Sequence, residues 1–375
     1  MIFRLNDNDK KELEKLASTL DENIGASDIY NFILDKEPGF TSKEEITEEM
    51  NAKGISEEEA YLSLLLKEED INPNDTDMRK FIKASHINDI KALDEKEYHD
   101  DPYYKNIRPM KKNSGKWRID YNYFAPYEAF IYEDVKVNPD DYYREYTSLG
   151  YFKTKFPYLI ILNNNRVYMS ITPHEINTMK ASIKEAKGKV VVFGLGLGYY
   201  PYMIAQKEEV TDITVIENDK NVIDLFYHEI FPFFGNSRKK IRLIEGDAFN
   251  YAKREMGKQD FDYGFVDLWH DEEDGLEMYL KMQKINRSLK KPIELSYWIE
   301  ESILTILRRI YIDMILTESD EGGDGDFLKS RSYFDWLENH LHFLLKDKVI
   351  SSYNDIRELL TPETMVLNAL KVSEK

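Results

Sequence analysis

Four short apolar runs recur through the middle of the chain, at residues 190–193, 213–216, 241–244 and 261–268, with helical patterning between them. A strand covered on both faces of a parallel sheet reads as an unbroken apolar run rather than as an alternation. Strand and helix in turn predict an α/β fold with a Rossmann-like, doubly wound sheet. Residues 293–298 supply a fifth candidate strand and 300–316 an amphipathic helix. Upstream, 158–162 and 166–171 are β-prone and flank Asn163, Asn164 and Asn165. Asparagine tolerates positive φ, so a β-hairpin is expected there. Thr172 or Pro173 then opens a helix running to about Ala186, with Gly188 as its stop.

The first hundred residues read as helical. Ser56 and Glu59 have the spacing of a capping box, and 60–66 form an apolar stripe behind it. The Asn-Pro-Asn-Asp string at 72–75 breaks the pattern, and a second helix is expected over 78–93. Tyr, Pro and Asp dominate 98–158, which predicts irregular structure and short strands. The end, 327–370, is mostly helical in pattern. The resulting division is a helical accessory domain (1–100), a Tyr-rich linker with the hairpin (101–185), the Rossmann-like domain (186–317) and a helical extension (318–375).

Composition narrows the partners. The formal net charge is −19 over 375 residues. Nucleic-acid binding draws on Lys and Arg to neutralise phosphates, so the balance disfavours a nucleic-acid partner. There is no cysteine, which excludes disulfides, thiolate catalysis and Cys-based zinc sites. No apolar run approaches the roughly 20 residues of a membrane span, and no signal-peptide pattern opens the chain. A cytoplasmic protein is the expectation. The acidic, glycine-bearing loop at 318–326 has the composition of a solvated segment or a lid.

The string GLGLG at 194–198 follows the first buried run and precedes a helix. Glycine serves where the backbone turns sharply or a ligand must touch the main chain, though plain tight turns favour it too. Dinucleotide sites use G-x-G-x-x-G/A. Here the third glycine comes one residue early, and Tyr199 stands where that pattern needs Gly or Ala. No P-loop Lys-Ser/Thr follows either. The later strands end in acids. Glu217, followed by Asn218, closes the second and is placed to accept from both ribose hydroxyls, or to sit in a solvated turn. Asp247, before Ala248, closes the third and suits an adenine amino group, a helix N-cap or both. Asp267 closes the fourth. Gly or carboxylate thus ends four successive strands at the edge where open α/β sheets bind ligands, which predicts a nucleoside-like ligand.

These residues resemble the motifs of class I S-adenosylmethionine (SAM)-dependent methyltransferases, and more closely the spermidine-synthase-like branch. The hairpin and His–Glu-bearing helix of LIILNNNRVYMSITPHEINTM precede the glycine loop as they do in that branch, and GDAF at 246–249 and the strand ending in Asp267 are similar too. The likeness covers about residues 155–300. It implies SAM as cofactor, held by Gly194, Leu195, Gly196, Gly198, Tyr199, Glu217, Asn218, Asp247, Ala248 and Asp267, and methyl transfer to a small-molecule or protein acceptor. Candidate bases are Asp267 and His270, the latter oriented by Asp271, with Trp269 as a pocket wall. Tyr200 stands beside Tyr199 to flank the methionine moiety. His174 and Glu175 fall where the related synthases place residues near the substrate. Asp100, Asp101, Tyr103 and Tyr104 are candidates for reaching over the site. No metal is expected: Asp267, Asp271 and Asp274 supply oxygen, but acids in a charged loop are common. Leu195 and Leu197 replace Gly and Asp of the G-G-G-D-G pattern of aminopropyltransferases, which weighs against aminopropyl transfer from decarboxylated SAM. The Asn/Asp-Pro-Pro-Tyr motif of amino-group methyltransferases is missing too. A non-catalytic SAM- or nucleoside-binding protein with a partner-binding helical region is the third alternative. A homodimer through the Tyr-rich middle stays open.

Overall fold

The computed structural model describes residues 1–68, 76–84, 87–319 and 332–372; the break at 72–75 and nearly all of the acidic loop at 318–326 lie outside the described residues. Helix α1 (Asp7–Leu34) opens the chain, and the Asn6 side chain accepts from the amides of Asn8 and Asp9 at its N-terminus. Helices Lys43–Lys53 and Glu57–Glu68 follow. The Ser56–Glu59 capping box is present: the Ser56 amide donates to the Glu59 carboxylate at 2.8 Å, and the Glu59 amide to Ser56 Oγ at 3.2 Å. The helix expected over 78–93 is instead Thr76–Ala84, then a 3-10 turn at Ile87–Asp89 and a strand, Lys91–Ala92, paired in parallel with Leu149–Tyr151. Ile87 and Ile90 bury from this non-helical backbone into a local apolar cluster, and that burial outweighs a weak helical period.

The Tyr-rich middle is more regular than its composition predicts. Strand β1 (Trp117–Phe124) pairs antiparallel along its length with β2 (Phe156–Asn163), and β2 with β3 (Arg166–Ser170). The β2–β3 turn is the expected hairpin, with Asn164 and Asn165 at φ of 50° and 64°. Lys112–Ser114 adds a fourth strand. Helix α2 (Pro173–Glu185) then leads into the main sheet.

That sheet is mixed with helices, and its strands are all parallel. Chain order gives β4 (Gly188–Phe193), α3 (Tyr199–Ala205), β5 (Val210–Glu217), β6 (Ile241–Glu245), α4 (Ala248–Arg254), β7 (Tyr263–Val266), α5 (Glu272–Ser288), β8 (Glu294–Tyr297) and α6 (Glu300–Glu318). The spatial order is β6-β5-β4-β7-β8. The chain runs outward from β4 to one side and returns at β7 to the other, so the carboxyl end of β4 is a switch point, where such sheets open a crevice. Register levels that edge: Phe193 stands beside both Ile216 and Val266. Gly194, Glu217 and Asp267 are therefore neighbours one residue further on. Val190–Phe193 is fully buried, as an unbroken apolar run requires.

Helix α1 belongs to two apolar clusters. Leu13, Leu16 and Leu20 pack into the main core with both sheets. Ala26, Ile29, Tyr30 and Ile33 pack with the short helices and with Tyr127, Leu149 and Tyr151. The C-terminal part closes back on the start, where Ile2–Phe3 pairs in parallel with Val349–Ile350. Among the described residues, no helix is long and apolar enough to cross a membrane.

Candidate functional site

A cavity of about 410 Å³ opens at the switch point. Its floor is the glycine loop and the ends of β4, β5 and β7; Met169 and Ile171 at the end of the hairpin, Glu175 of α2 and Trp298 close other sides. The glycines divide the work. Gly194 has φ +95°, and a Cβ there would lie 1.9 Å from the Asp267 carbonyl oxygen, so only glycine lets the loop pass β7. Gly196 faces the cavity. Gly198 does not line it: a Cβ there would meet the Phe226 ring at 2.3 Å, so this glycine serves packing behind the loop.

Glu217 is buried at the end of β5. One carboxylate oxygen accepts from the Leu195 amide at 3.2 Å, the other from the Asn218 and Asp219 amides at 2.8 and 2.9 Å. It thereby ties the glycine loop to the second strand, and Glu217 also lines the cavity. Burial still raises its pKa, against the pull of those amides. Asp247 both lines the cavity and caps α4, accepting from the Asn250 amide at 2.8 Å.

Two further carboxylates, Asp267 and Glu175, are half-buried. Both line the cavity, and neither carboxylate has a hydrogen-bond or ion-pair partner among the described residues. Burial pushes Asp267 up to about 7, with repulsion from Glu217 adding to it. Burial, and then repulsion from Asp267, holds Glu175 well above the carboxylate range. Two neighbouring carboxylates in low dielectric cannot both stay ionised without a cation. Among the described residues, no lysine or arginine lines the cavity.

No protein family profile matches the chain, and no curated protein sequence does. Among solved structures it is similar to spermidine synthase from Thermotoga maritima, at 14% identity over 53% of this chain, with a TM-score of 0.29. The match spans 61% of that enzyme's chain.

Most of the residues singled out from sequence converge on this cavity: Gly194, Leu195, Gly196, Tyr199, Tyr200, Glu217, Asn218, Asp247, Ala248, Asp267, Trp269, His270 and Glu175 all line it. Others do not. His174 turns the opposite way and lines a second cavity, between α1 and α6; its ring meets Trp298 edge-on, and burial pushes its pKa down to about 4. One step along a helix rotates a side chain by about 100°, enough to send His174 and Glu175 into different cavities. Asp271 does not orient His270. It caps α5 in a box with Asp274, and Asp274 is the acid that meets His270 Nδ1, at 3.2 Å. His270 is exposed at the cavity mouth, edge-on to Tyr168. With Asp271 and Asp274 spent on the cap, Asp267 stands apart from them, and no metal-ligand cluster occurs among the described residues. Asp101 and Tyr103 reach behind the glycine loop rather than over the site, Tyr104 reaches the Ile171 carbonyl at the hairpin wall, and Asp100 pairs with Lys105. Sequence reasoning missed the hairpin wall from Tyr168 to Ile171, Phe249 at the start of α4 and Trp298 after β8, which only the folded sheet edge brings together.

Proposed function

We propose that the chain is a transferase that binds SAM or a close relative at this cavity and transfers a carbon group, methyl in the first instance, to an unidentified acceptor. The observation that carries this reading is the charge of the cavity: carboxylates and, among the described residues, no lysine or arginine. A dinucleotide or ATP brings phosphates, which need cationic or densely packed amide partners. SAM brings a sulfonium and an ammonium, and supplies an electrophilic carbon on a neutral leaving group. Glu217 is the ribose acceptor in this reading and Asp247 the adenine partner. Asp267 and Glu175 hold the ammonium or the nucleophile. Asp267, near 7, is poised to take a proton from an incoming nucleophile at neutral pH.

The same charge favours a second reading, aminopropyl transfer. Decarboxylated SAM lacks the carboxylate that Asp267 and Glu175 would repel. Leu197 leaves the loop without the acid of known aminopropyltransferases, yet Glu175 and Asp267 offer carboxylates from neighbouring elements.

Thermal unfolding with SAM, S-adenosylhomocysteine, decarboxylated SAM and NAD in parallel separates the readings. A ligand at 100 times its dissociation constant stabilises by about 2.7 kcal/mol. Stabilisation by SAM or S-adenosylhomocysteine is expected, and none by NAD. Preference for decarboxylated SAM promotes the second reading; a shift with NAD alone sinks both. Glu217→Ala removes acceptors for two ribose hydroxyls, so affinity should fall by about a hundredfold, at roughly 1.5 kcal/mol per hydrogen bond to a charged group. An unchanged shift would mean the ribose lies elsewhere.

A further inference from the structure

The glycine loop has a second anchor that the ligand reading does not use. Leu195 is held by Glu217 on the cavity side, and the Gly194 amide donates to the Ile216 carbonyl at 3.0 Å. From behind, the Tyr103 hydroxyl donates to the Leu197 carbonyl at 2.6 Å, and Tyr103 is almost wholly buried. Its ring packs on those of Tyr199 and Tyr202, with centroids at 5.4 and 5.6 Å. Asp101 completes the grip. One oxygen caps the short helix Pro102–Asn106 by accepting from the Tyr103 amide at 2.8 Å, and the other accepts from the Tyr199 hydroxyl at 3.0 Å. The Tyr104 hydroxyl donates to the carbonyl of Ile171, a cavity-lining residue on the opposite side. One turn of chain from outside the parallel sheet thus touches the glycine loop, the helix after it and the hairpin wall.

We infer that Asp101, Tyr103 and Tyr104 are positioning residues for the ligand loop, setting the spacing between the loop and the hairpin wall and so the affinity of the cavity. The physical basis is the loop itself. Gly194, Gly196 and Gly198 all have positive φ, a region glycine enters freely, so the conformation depends on the hydrogen bonds that hold it; within the loop itself the Gly198 amide donates to the Leu195 carbonyl at 2.9 Å. The buried Tyr103 hydroxyl on the Leu197 carbonyl adds a contact from outside, on the half of the loop that Glu217 does not hold. Tyr199 lines the cavity and is fixed through its hydroxyl by Asp101, so the accessory segment also sets the orientation of a cavity wall.

The inference rests on the loop being the ligand-binding element, and the test separates the two. Titration calorimetry with S-adenosylhomocysteine and with 5′-methylthioadenosine is run on the full chain, on Tyr103→Phe and on Tyr61→Phe. Tyr61 is the control: equally buried, with its hydroxyl on the Tyr127 carbonyl at 2.7 Å, but in the other apolar cluster. Tyr103→Phe should lower stability by about 1 kcal/mol, the worth of one buried hydrogen bond, and weaken binding by up to several-fold as the ligand has to order the released loop, while Tyr61→Phe leaves affinity unchanged although both lower the unfolding temperature. Equal affinities in all three proteins would overturn the positioning role and leave the ligand reading intact. Failure of the parent chain to bind either probe would overturn the ligand reading. Hydrogen exchange of the ligand-free chain then decides independently: Tyr103→Phe should speed exchange of the amides from Leu195 to Tyr199 and leave those of β4 unchanged, and no local increase would overturn the positioning role.

Discussion

Asp267 shows how one side chain can report the state of the whole site. Its folded pKa lies near 7, above the ordinary aspartate value, because burial and Glu217 disfavour the charge. The folded chain therefore holds a proton that the unfolded chain has released. Stability from this group is full below about pH 4 and is lost as pH rises through about 7. Denaturant unfolding of the ligand-free protein should show this fall, and Asp267→Asn should flatten it and leave the variant the more stable at pH 8. A bound ammonium reverses the sign: affinity for a cationic ligand should tighten as pH rises through 7, while Asp267→Asn binds weakly at every pH. Calorimetry at pH 6 and 8 checks this; a tighter complex at the lower pH would mean that Asp267 does not face the cation. At this scale much of the site was legible, because glycine and acid at strand ends have few other reasons to coincide. The roles of His174 and Asp271 were not. Rotation about a helix decides the first. The Asp271–Asp274 spacing that decides the second is the same capping signal that identified Ser56 and Glu59.

Among the elements, the glycine loop invites a paired substitution. Gly194→Ala drives a Cβ against the backbone of Asp267 at φ +95°, so neither rotamer change nor side-chain movement relieves it. The loss should exceed the roughly 1–3 kcal/mol of a strained backbone conformation alone. At Gly196 the nearest neighbour of a new Cβ is Met169 Sδ at 3.9 Å, with φ +54°. Gly196→Ala should cost about 1 kcal/mol by the left-handed penalty and yet weaken ligand binding more than Gly194→Ala weakens it per unit of stability lost, since its methyl enters the cavity. Urea unfolding and calorimetry on both variants measure the contrast. The strands around this loop were readable because two-sided burial leaves apolar runs, and the hairpin because Asn164 and Asn165 take the positive φ that its turn requires. Strand β1 was not read. Its alternation of Trp117, Ile119, Tyr121 and Tyr123 was present, but Tyr121 and Tyr123 face solvent while Phe124 is buried, so the hydrophobic period does not follow a single face.

Over the whole molecule, α1 decides whether the helical N-terminal part is a module or a limb of the core. A segmented reading of the chain separates residues 1–100 from the sheet, yet Leu13, Leu16 and Leu20 are buried with the sheet, and Ile29, Tyr30 and Ile33 with the short helices. One rigid helix of 28 residues carries both sets, so loosening one cluster displaces the other end of the same rod. Polar contacts reinforce the tie: Arg144 forms an ion pair with Glu22 at 2.6 Å, and Arg309 of α6 pairs with Glu145 and donates to the Ser27 hydroxyl at 3.3 Å. Two-state coupling follows, since neither cluster can release α1 while the other holds it. Leu16→Ala and Ile29→Ala each delete a buried aliphatic side chain, at a cost of roughly 2–5 kcal/mol. Both should lower the temperature of one shared calorimetric transition, with the same shift reported by far-UV circular dichroism and by tryptophan fluorescence. All four tryptophans lie at 117, 269, 298 and 336, outside the N-terminal helices. Ile29→Ala therefore tests the coupling directly: it alters a cluster with no tryptophan, and the fluorescence transition should move with it. A fluorescence midpoint that stays fixed while a lower-temperature helical transition splits away would show that the N-terminal cluster unfolds on its own.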